Sequence, residues 1–197
     1  MGPPGVGKGT QANIIKDTYN IPHLSTGEIL RNEIEVKSDI GLIAKNYIDD
    51  GLLVPDNILL KILENNISRS NSSNGYILDG FPRNLQQVED LNDLINKLDH
   101  TIDIVISLTA DEDELIKRLI KRSEESGRSD DTADIISNRQ KVYWKQTAPI
   151  IAYYKKRGIL KEVNGLGTIQ EITKRIIGAI KKYVKNRTNR RNWIRKK

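Results

Sequence analysis

The feature that most constrains this 197-residue chain is a glycine-rich segment at residues 2–10, with the sequence GPPGVGKGT. It matches the G-x-x-x-x-G-K core of a phosphate-binding loop (P-loop), whose glycines let successive backbone N–H groups point at a polyphosphate. The N-terminus of the following helix adds its positive dipole end, and Lys8 can reach the phosphates as a mobile charge. The strict motif has Ser or Thr directly after the lysine, whereas here Gly9 stands there and Thr10 follows. A glycine-rich turn that only caps a helix is the alternative, and the motif alone leaves several classes of nucleotide-binding enzyme open.

Apolar runs with helical spacing alternate along the chain with short runs rich in Ile, Val and Leu. We predict strands over residues 75–79, 102–108 and 159–163. We predict helices over residues 6–19, 25–35, 39–50, 56–69, 84–97, 111–123, 135–157 and 168–183, the seventh interrupted near Pro149. Strands that alternate with helices indicate βαβ units, so the sequence predicts an α/β fold with a mostly parallel sheet.

The net charge of +6 and the pI near 9.4 suggest an acidic partner such as nucleic acid. Residues 184–197, however, hold seven basic residues and no acidic one. Removing these seven from the 32 basic residues leaves 25 against 26 acidic ones in residues 1–183. We therefore expect a near-neutral body and a disordered, solvated tail. The alternative function of the tail is contact with RNA or another polyanion, with Trp193 available to stack on a base.

Several functional classes are excluded by residues that the sequence lacks. No stretch approaches the ~18 apolar residues of a membrane span, and no signal-peptide pattern follows Met1. The absence of cysteine excludes disulfides and thiolate zinc sites and fits a reducing compartment. We expect a cytoplasmic protein without a membrane partner. His23 and His100 have no partner at useful spacing, so we assign them no catalytic or metal-binding role.

Four further segments follow the P-loop in order: LSTGEILR at 24–31, GLLVPD at 51–56, LDGFPR at 78–83 and SGRSDD at 126–131. Together with the GKGT form of the P-loop, they resemble the adenylate kinases among the nucleoside monophosphate kinases, over residues 2 to about 183. The segment between Arg122 and the next helix is short, so the chain is similar to the short-lid members. Without cysteine, it lacks the zinc-holding lid of some relatives.

The resemblance implies a P-loop three-layer sandwich around a central parallel sheet. The kinase domain would span 1–183, with a helical insert for the nucleoside monophosphate at 25–54, a lid at 123–133, and the basic tail after it. The implied reaction is the reversible transfer of the terminal phosphoryl group of ATP to AMP, giving two ADP and serving adenine nucleotide homeostasis. Mg²⁺ would accompany ATP, with no zinc, and the protein would be a monomer.

The resemblance also assigns residues to the donor nucleotide and to catalysis. The ATP-binding positions are Gly5, Val6, Gly7, Lys8, Gly9, Thr10, Arg122 and Gly167, the last through its backbone at the base. The catalytic positions are Lys8, Asp79, Arg83, Arg122, Arg128 and Arg139. No residue would bind the metal directly, since Asp79 matches the acid that orients the water shell of Mg²⁺. A helix N-cap is the alternative role for Asp79, which ends a predicted strand.

The acceptor site follows from the same motifs. The AMP-binding positions are Thr26, Arg31, Leu52, Leu53, Val54, Gly80, Phe81, Pro82, Arg83, Gln87, Arg128 and Arg139. A guanidinium fork binds two phosphate oxygens at once, which suits a reaction that depends on positioning and charge stabilisation. Relatives directed at pyrimidines tend to have Ala in place of Thr26 and Asn in place of Gln87. The two residues present here favour AMP, and a kinase for UMP or CMP is the alternative.

The chain departs from the family before the P-loop. Family members have a β-strand there, whereas only Met1 precedes Gly2 in this sequence. We favour a misplaced start codon, with Met1 an internal residue of the gene product. The alternative is a chain that is unstable or inactive as a kinase and acts as a polyanion-binding protein through its tail.

Overall fold

The computed structural model describes residues 1–69, 74–126 and 129–194. The helices are α1 (Lys8–Tyr19), α2 (Thr26–Glu35), α3 (Asp39–Asp49), α4 (Asp56–Arg69), α5 (Leu85–Lys97), α6 (Glu112–Ser126), α7 (Ala133–Val142), α8 (Pro149–Lys156) and α9 (Ile169–Ile194). The strands are β1 (His23–Ser25), β2 (Ile77–Asp79), β3 (Val105–Thr109) and β4 (Leu160–Asn164). A 3₁₀ turn at Ser129–Asp131 precedes α7, and a π-helical turn at Tyr143–Thr147 joins α7 to α8. The predicted α/β class is confirmed, and the predicted interruption near Pro149 is the start of α8.

Two predictions about elements were wrong. Sequence analysis missed β1, because three residues are too few to show a strand period and they lead directly into α2. It also ended the last helix at Tyr183 and expected a disordered tail at 184–197, whereas the backbone of 184–194 continues α9. Residues 195–197 of that tail lie outside the described residues. Apolar residues such as Ile172 and Ile176 anchor α9 on the core, and 184–194 contains no Gly or Pro that would end the helix.

The strands of the described residues form two separate parallel pairs, not the single central sheet that we predicted. β1 pairs with β2 and β3 pairs with β4. The inner edge of β3 is occupied by Met1, whose terminal amino group donates to the Ile106 carbonyl at 2.6 Å. The Met1 carbonyl in turn accepts from the Leu108 N–H at 3.0 Å. Met1 thus pairs with β3 through one donor and one acceptor, and no ladder joins β3 to β2 in the described residues.

The strand pairing sets where functional side chains meet. Ser25 lies opposite Asp79 at the carboxyl end of the first pair, and Thr109 lies opposite Asn164 at the carboxyl end of the second. Gly165 continues the second edge by donating its N–H to the Thr109 carbonyl at 2.7 Å. In parallel α/β proteins, ligands bind at the carboxyl ends of the strands. A ligand site is therefore expected at this edge.

Two apolar clusters support this edge. The larger lies between α2, α3, α4 and α5, with Leu63 and Ala44 fully buried at its centre. The second packs Val6 of the P-loop against β3, α6 and α9 through residues such as Leu108 and Leu115. Val6 is 1 % exposed, so the apolar core fixes the position of the phosphate-binding loop.

The crossing of α2 and α3 gives a prediction about stability. A Cβ at Gly41 would lie 2.0 Å from the Glu33 carbonyl oxygen, so Gly41→Ala should separate the helices and lower the free energy of unfolding by about 2–3 kcal/mol. Gly178→Ala in α9 is the matched control, because nothing lies within 4 Å of its added Cβ. Helix propensity should raise stability there by about 0.5–1 kcal/mol. Urea unfolding measures both, and equal effects would contradict the close crossing.

Candidate active site

A cleft of about 440 Å³ opens between the P-loop, the insert formed by α2 and α3, and α7. It brings together these predicted site residues: Gly5, Gly7, Lys8, Gly9, Thr10, Thr26, Arg31, Leu52, Leu53, Val54, Asp79, Gly80, Phe81, Pro82, Arg83, Arg122 and Arg139. Five basic side chains line it, those of Lys8, Arg31, Arg83, Arg122 and Arg139. Three acidic ones, Glu28, Asp79 and Asp130, accompany them. The cleft is therefore suited to polyanions.

Four predicted site residues are not among those that line the cleft. The side chain of Val6 points into the core, and Gln87 is 0 % exposed beneath the cleft. Gly167 belongs to a loop beyond the cleft, between β4 and α9. Arg128 lies outside the described residues, so its role stays a prediction.

The P-loop folds around its lysine. Gly5 and Gly7 have φ angles of 86° and 93°, which L residues with a side chain rarely adopt. The Lys8 ammonium donates to the carbonyl oxygens of Gly2 at 2.7 Å and Pro3 at 3.0 Å. Burial lowers the pKa of Lys8 to about 8, with nearby arginines adding to the shift and Asp79 opposing it. A bound polyphosphate would favour the charged lysine, so the loop is prepared for an anion.

Asp79 stands at the end of β2, facing the first turn of α1. Burial raises its pKa, but the hydrogen bond from His23 and the charge of Lys8 outweigh burial and hold the pKa at about 2. His23 Nε2 lies 3.4 Å from Asp79 Oδ2, and His23 Nδ1 lies 3.0 Å from Asn13 Oδ1. Sequence analysis gave His23 no partner, because these contacts join residues that no local spacing relates. Asp79 is therefore an ionised carboxylate held in place at neutral pH.

The turn after β2 carries Arg83 into the cleft. Arg83 Nε donates to the Gly80 carbonyl at 2.6 Å, which folds the guanidinium back over the turn. Gly80 has φ 82°, and a Cβ there would lie 2.7 Å from Thr26 Oγ1. Only glycine therefore allows Thr26 and Arg83 to approach each other at this wall of the cleft.

Gln87 supports this turn from below. Its Oε1 accepts from the Arg83 N–H, and its Nε2 donates to Asp56 Oδ1, both at 2.6 Å. Asn84 caps α5 by accepting from the Gln87 N–H at 2.7 Å. Both ends of the Gln87 amide thus have protein partners here. Direct contact of this amide with an adenine stays a prediction.

Two arginines of the cleft share one buried carboxylate. Arg122 Nε and Nη2 donate to the two oxygens of Asp131, each at 2.7 Å. Arg139 Nη1 donates to Asp131 Oδ1 at 2.8 Å and lies 2.9 Å from Asp130 Oδ2. The side chain of Asp131 is 0 % exposed. Both acids belong to the SGRSDD motif, but the sequence alone assigned them no role; the available signal was two consecutive acids beside arginines of the site.

Arg118 extends the basic face of α6 away from the cleft. It lies one turn before Arg122 and donates to Glu114 Oε1 at 2.8 Å and to the Gly165 carbonyl at 2.9 Å. The loop after β4 is thereby attached to the helix that carries Arg122. Sequence analysis did not include Arg118 in the site.

The helix that follows the predicted lid touches the insert. Asn138 Nδ2 donates to the Asp50 carbonyl at 2.5 Å. A Cβ at Gly51 would lie 3.1 Å from both Arg139 Cγ and the Ile135 carbonyl oxygen. The two sides of the cleft therefore meet at the end of α3, which brings Arg139 over the cleft.

Direct metal coordination by a cluster of protein side chains is not found in the part of the chain that the structure describes: no three His, Cys, Asp or Glu residues there are grouped to hold an ion. Across residues 1–69, 74–126 and 129–194, no helix has the length and apolar character needed to cross a bilayer.

Comparison with known proteins agrees with this geometry. The family model described as adenylate kinase matches residues 1–159. An adenylate kinase of Leptospira biflexa is 46 % identical over 180 residues, which cover 91 % of this chain and 97 % of that protein. An adenylate kinase of Bifidobacterium longum is 47 % identical over 177 residues, covering 90 % of this chain and 95 % of that one. An adenylate kinase of a Nocardioides species is 44 % identical over 180 residues, which cover 91 % of this chain and 94 % of that protein. The chain therefore belongs to the adenylate kinase family.

Proposed function

We propose that this protein transfers the terminal phosphoryl group of ATP reversibly to AMP, giving two ADP. The observation that carries the proposal is the convergence of five basic side chains, from the P-loop, the insert, the turn after β2, α6 and α7, on one cleft. Phosphoryl transfer needs positioning and charge stabilisation more than covalent chemistry from the protein. A cleft with a P-loop on one side and a second basic wall on the other suits two phosphorylated ligands placed end to end.

The donor occupies the P-loop side. Backbone N–H groups of the loop and the N-terminus of α1 hold the β- and γ-phosphates of ATP, and the Lys8 ammonium moves from the carbonyls of Gly2 and Pro3 to the phosphates. Arg122 stabilises the transferring group, held in position by Asp131. The base extends towards Arg118 and the loop that contains Gly167.

The acceptor occupies the wall formed by the insert and the turn after β2. Arg31 and Arg83 hold the phosphate of AMP, and the backbone of 52–54 with Thr26 borders its base. Arg83 is fixed for this role by its bond to Gly80 and by the support of Gln87. An acceptor oxygen held in line with the γ-phosphate attacks it, and the negative charge that spreads over the transferring group is balanced by the surrounding arginines.

The parts of the chain divide this work. The insert at 25–54 and the lid at 123–133 close over the nucleotides, while the remainder of 1–183 forms the layered P-loop core. Closure excludes water, which would otherwise accept the phosphoryl group in place of AMP. Arg128 and Arg139 then lie over the transferring group, and the contact between Asn138 and Asp50 supports this arrangement.

The residues present fit a nucleotide that carries Mg²⁺. Asp79 is ionised at neutral pH because its pKa is about 2, and Thr10 lines the same cleft. Oxygen atoms of this kind are the ligands and water-shell partners that Mg²⁺ prefers. When bound, the ion neutralises phosphate charge. Asp79 and Thr10 would orient its water shell.

A panel of acceptors tests the proposal and its alternative. With Mg²⁺-ATP as donor, kcat/KM is measured for AMP, CMP, UMP and GMP. We expect AMP to be preferred by at least about tenfold, because a site that hydrogen-bonds one base leaves polar groups unpaired with another. A preference for CMP or UMP would replace this function by that of a pyrimidine-directed kinase.

The pKa of Lys8 predicts how ATP binding depends on pH. Above pH 8 the ligand-free protein loses the Lys8 proton, so ATP must bind together with a proton. The KM for ATP should then rise by up to about tenfold per pH unit between pH 8.5 and 10. Initial rates at saturating AMP measure this. Lys8→Arg keeps its charge over the whole range, so its KM for ATP should stay flat. A constant wild-type KM up to pH 10 would contradict the lowered pKa.

A further inference from the structure

The loop at 164–168, between β4 and α9, is held by side chains from outside it. Arg175 Nη1 donates to the carbonyl oxygens of Asn164 at 3.0 Å and Leu166 at 2.5 Å. Glu171 Oε2 accepts from the Thr168 N–H at 2.8 Å. With the bond from Arg118 to the Gly165 carbonyl, three side chains fix the backbone of a short loop.

The loop borders the phosphate-binding site. A Cβ at Gly165 would lie 2.9 Å from Val6 Cγ2 and 3.1 Å from the Thr109 carbonyl oxygen, so the loop backbone packs directly on the P-loop. Arg118, which binds this loop, lies one helical turn from Arg122 in the cleft. The proposed function places the phosphates of ATP at the P-loop and its base towards this loop.

The side of the loop that faces α9 is already filled. Gly167 has φ 108°, and a Cβ there would lie 2.6 Å from Glu171 Oε2 and 3.5 Å from Arg175 Nη2. Glu171 and Arg175 thus support the loop from the α9 side. Arg118 reaches the loop from α6 through the Gly165 carbonyl, and the proposed function places the base of ATP on that side.

We propose that Arg175 is a positioning residue that holds loop 164–168 in the shape that receives the base of ATP. This inference rests on the proposed function for the place of ATP. One guanidinium nitrogen bridges the carbonyls of Asn164 and Leu166, so it sets the turn between them. Charge-assisted hydrogen bonds of this kind are the stronger ones, and the planar fork of Arg loses less freedom per bond than Lys. Arg175 itself does not contact the reacting atoms.

Comparing ATP with inorganic tripolyphosphate tests the proposal, because tripolyphosphate occupies a phosphate site and has no base. For Arg175→Met we expect about fivefold weaker binding of ATP by calorimetry, with tripolyphosphate binding unchanged within twofold. The KM for ATP should rise by the same factor, while kcat at saturation and the KM for AMP stay within twofold. Arg175→Lys should recover part of the loss. Lys174→Met, an exposed neighbour on α9, is the control and should bind ATP as the wild type does.

Two results would overturn the proposal. One is unchanged ATP affinity in Arg175→Met, and the other is an equal loss for ATP and tripolyphosphate, which would indicate general damage to the P-loop. If Arg175→Met does not fold, the same comparison with Arg175→Lys decides, with a twofold to threefold loss for ATP alone expected. Failure of the proposed function can be told apart from failure of this proposal. If the wild-type protein binds ATP but does not phosphorylate AMP, the binding comparison between ATP and tripolyphosphate still tests the role of Arg175.

Discussion

Replacing Lys8 with Met should lower kcat by about a thousandfold, because it removes the one ammonium that, in the proposed function, the P-loop brings to the transferring phosphates. Nothing else in the loop can replace it, since the loop otherwise offers backbone N–H groups. The substitution keeps the length of the side chain and leaves the loop glycines in place. Steady-state kinetics with saturating ATP and AMP measure the loss.

The same variant should also change how the stability of the protein depends on pH. The pKa of Lys8 is about 8 in the folded protein, below its ordinary value of 10.5, so between these values the unfolded chain binds more protons than the folded one. Stability of the wild type therefore rises as pH increases from 8 to 10.5, by roughly 1–3 kcal/mol from this group. Lys8→Met lacks this rise. Urea unfolding at pH 7.5 and 10.5 compares the two proteins.

Lys16→Met is the matched control for Lys8, because Lys16 lies exposed in the last turn of the same helix, α1. It should keep both the activity of the wild type and its gain in stability at high pH. Activity above a tenth of the wild-type value in Lys8→Met would contradict the role given to this lysine.

Replacing Asp131 with Asn should lower kcat by about a hundredfold and the free energy of unfolding by about 3 kcal/mol. Asp131 is fully buried and binds Arg122 through both carboxylate oxygens, with Arg139 on one of them. An amide of the same shape removes the charge that offsets the two guanidinium groups. The arginines then repel each other and lose the orientation that the proposed function requires at the transferring phosphoryl group.

Asp134→Asn is the control for Asp131, since Asp134 lies exposed in the first turn of α7. It should change kcat by less than twofold and the unfolding free energy by less than about 0.5 kcal/mol. Because Asp131 acts through arginines, the fall in kcat of Asp131→Asn should persist at saturating concentrations of both substrates. A variant that loses stability but keeps kcat would reduce Asp131 to a structural role.

The sequence alone predicted those features of the fold and the site that depend on local patterns of residues. Helical periodicity predicted the positions of the helices. The LDGFPR motif predicted that Asp79 and Arg83 belong to one turn after a strand, and this turn lies at the edge of the parallel pair β1–β2. The grouping of Lys8, Arg31 and Arg122 in one cleft was predictable because these residues belong to ordered motifs of one family.

What the sequence missed depends on contacts between residues far apart in the chain. The bond between Asn138 and the Asp50 carbonyl joins residues 88 positions apart, and no periodicity relates them. His23 reaches Asp79 only because β1 pairs with β2 in register. Gln87 has the amide expected of a base-reading residue, but the fold directs both of its ends to Asp56 and Arg83. The motifs therefore predicted which side chains would gather in one cleft, whereas the partners of each side chain required the structure.

The most direct test of the central claim supplies ADP and Mg²⁺ alone and follows the phosphorus signals of the mixture over time. A protein that transfers phosphoryl groups between adenine nucleotides should convert ADP into equal amounts of ATP and AMP until equilibrium, with no inorganic phosphate released. ADP that stays unchanged, or that yields AMP and free phosphate without ATP, would contradict the account.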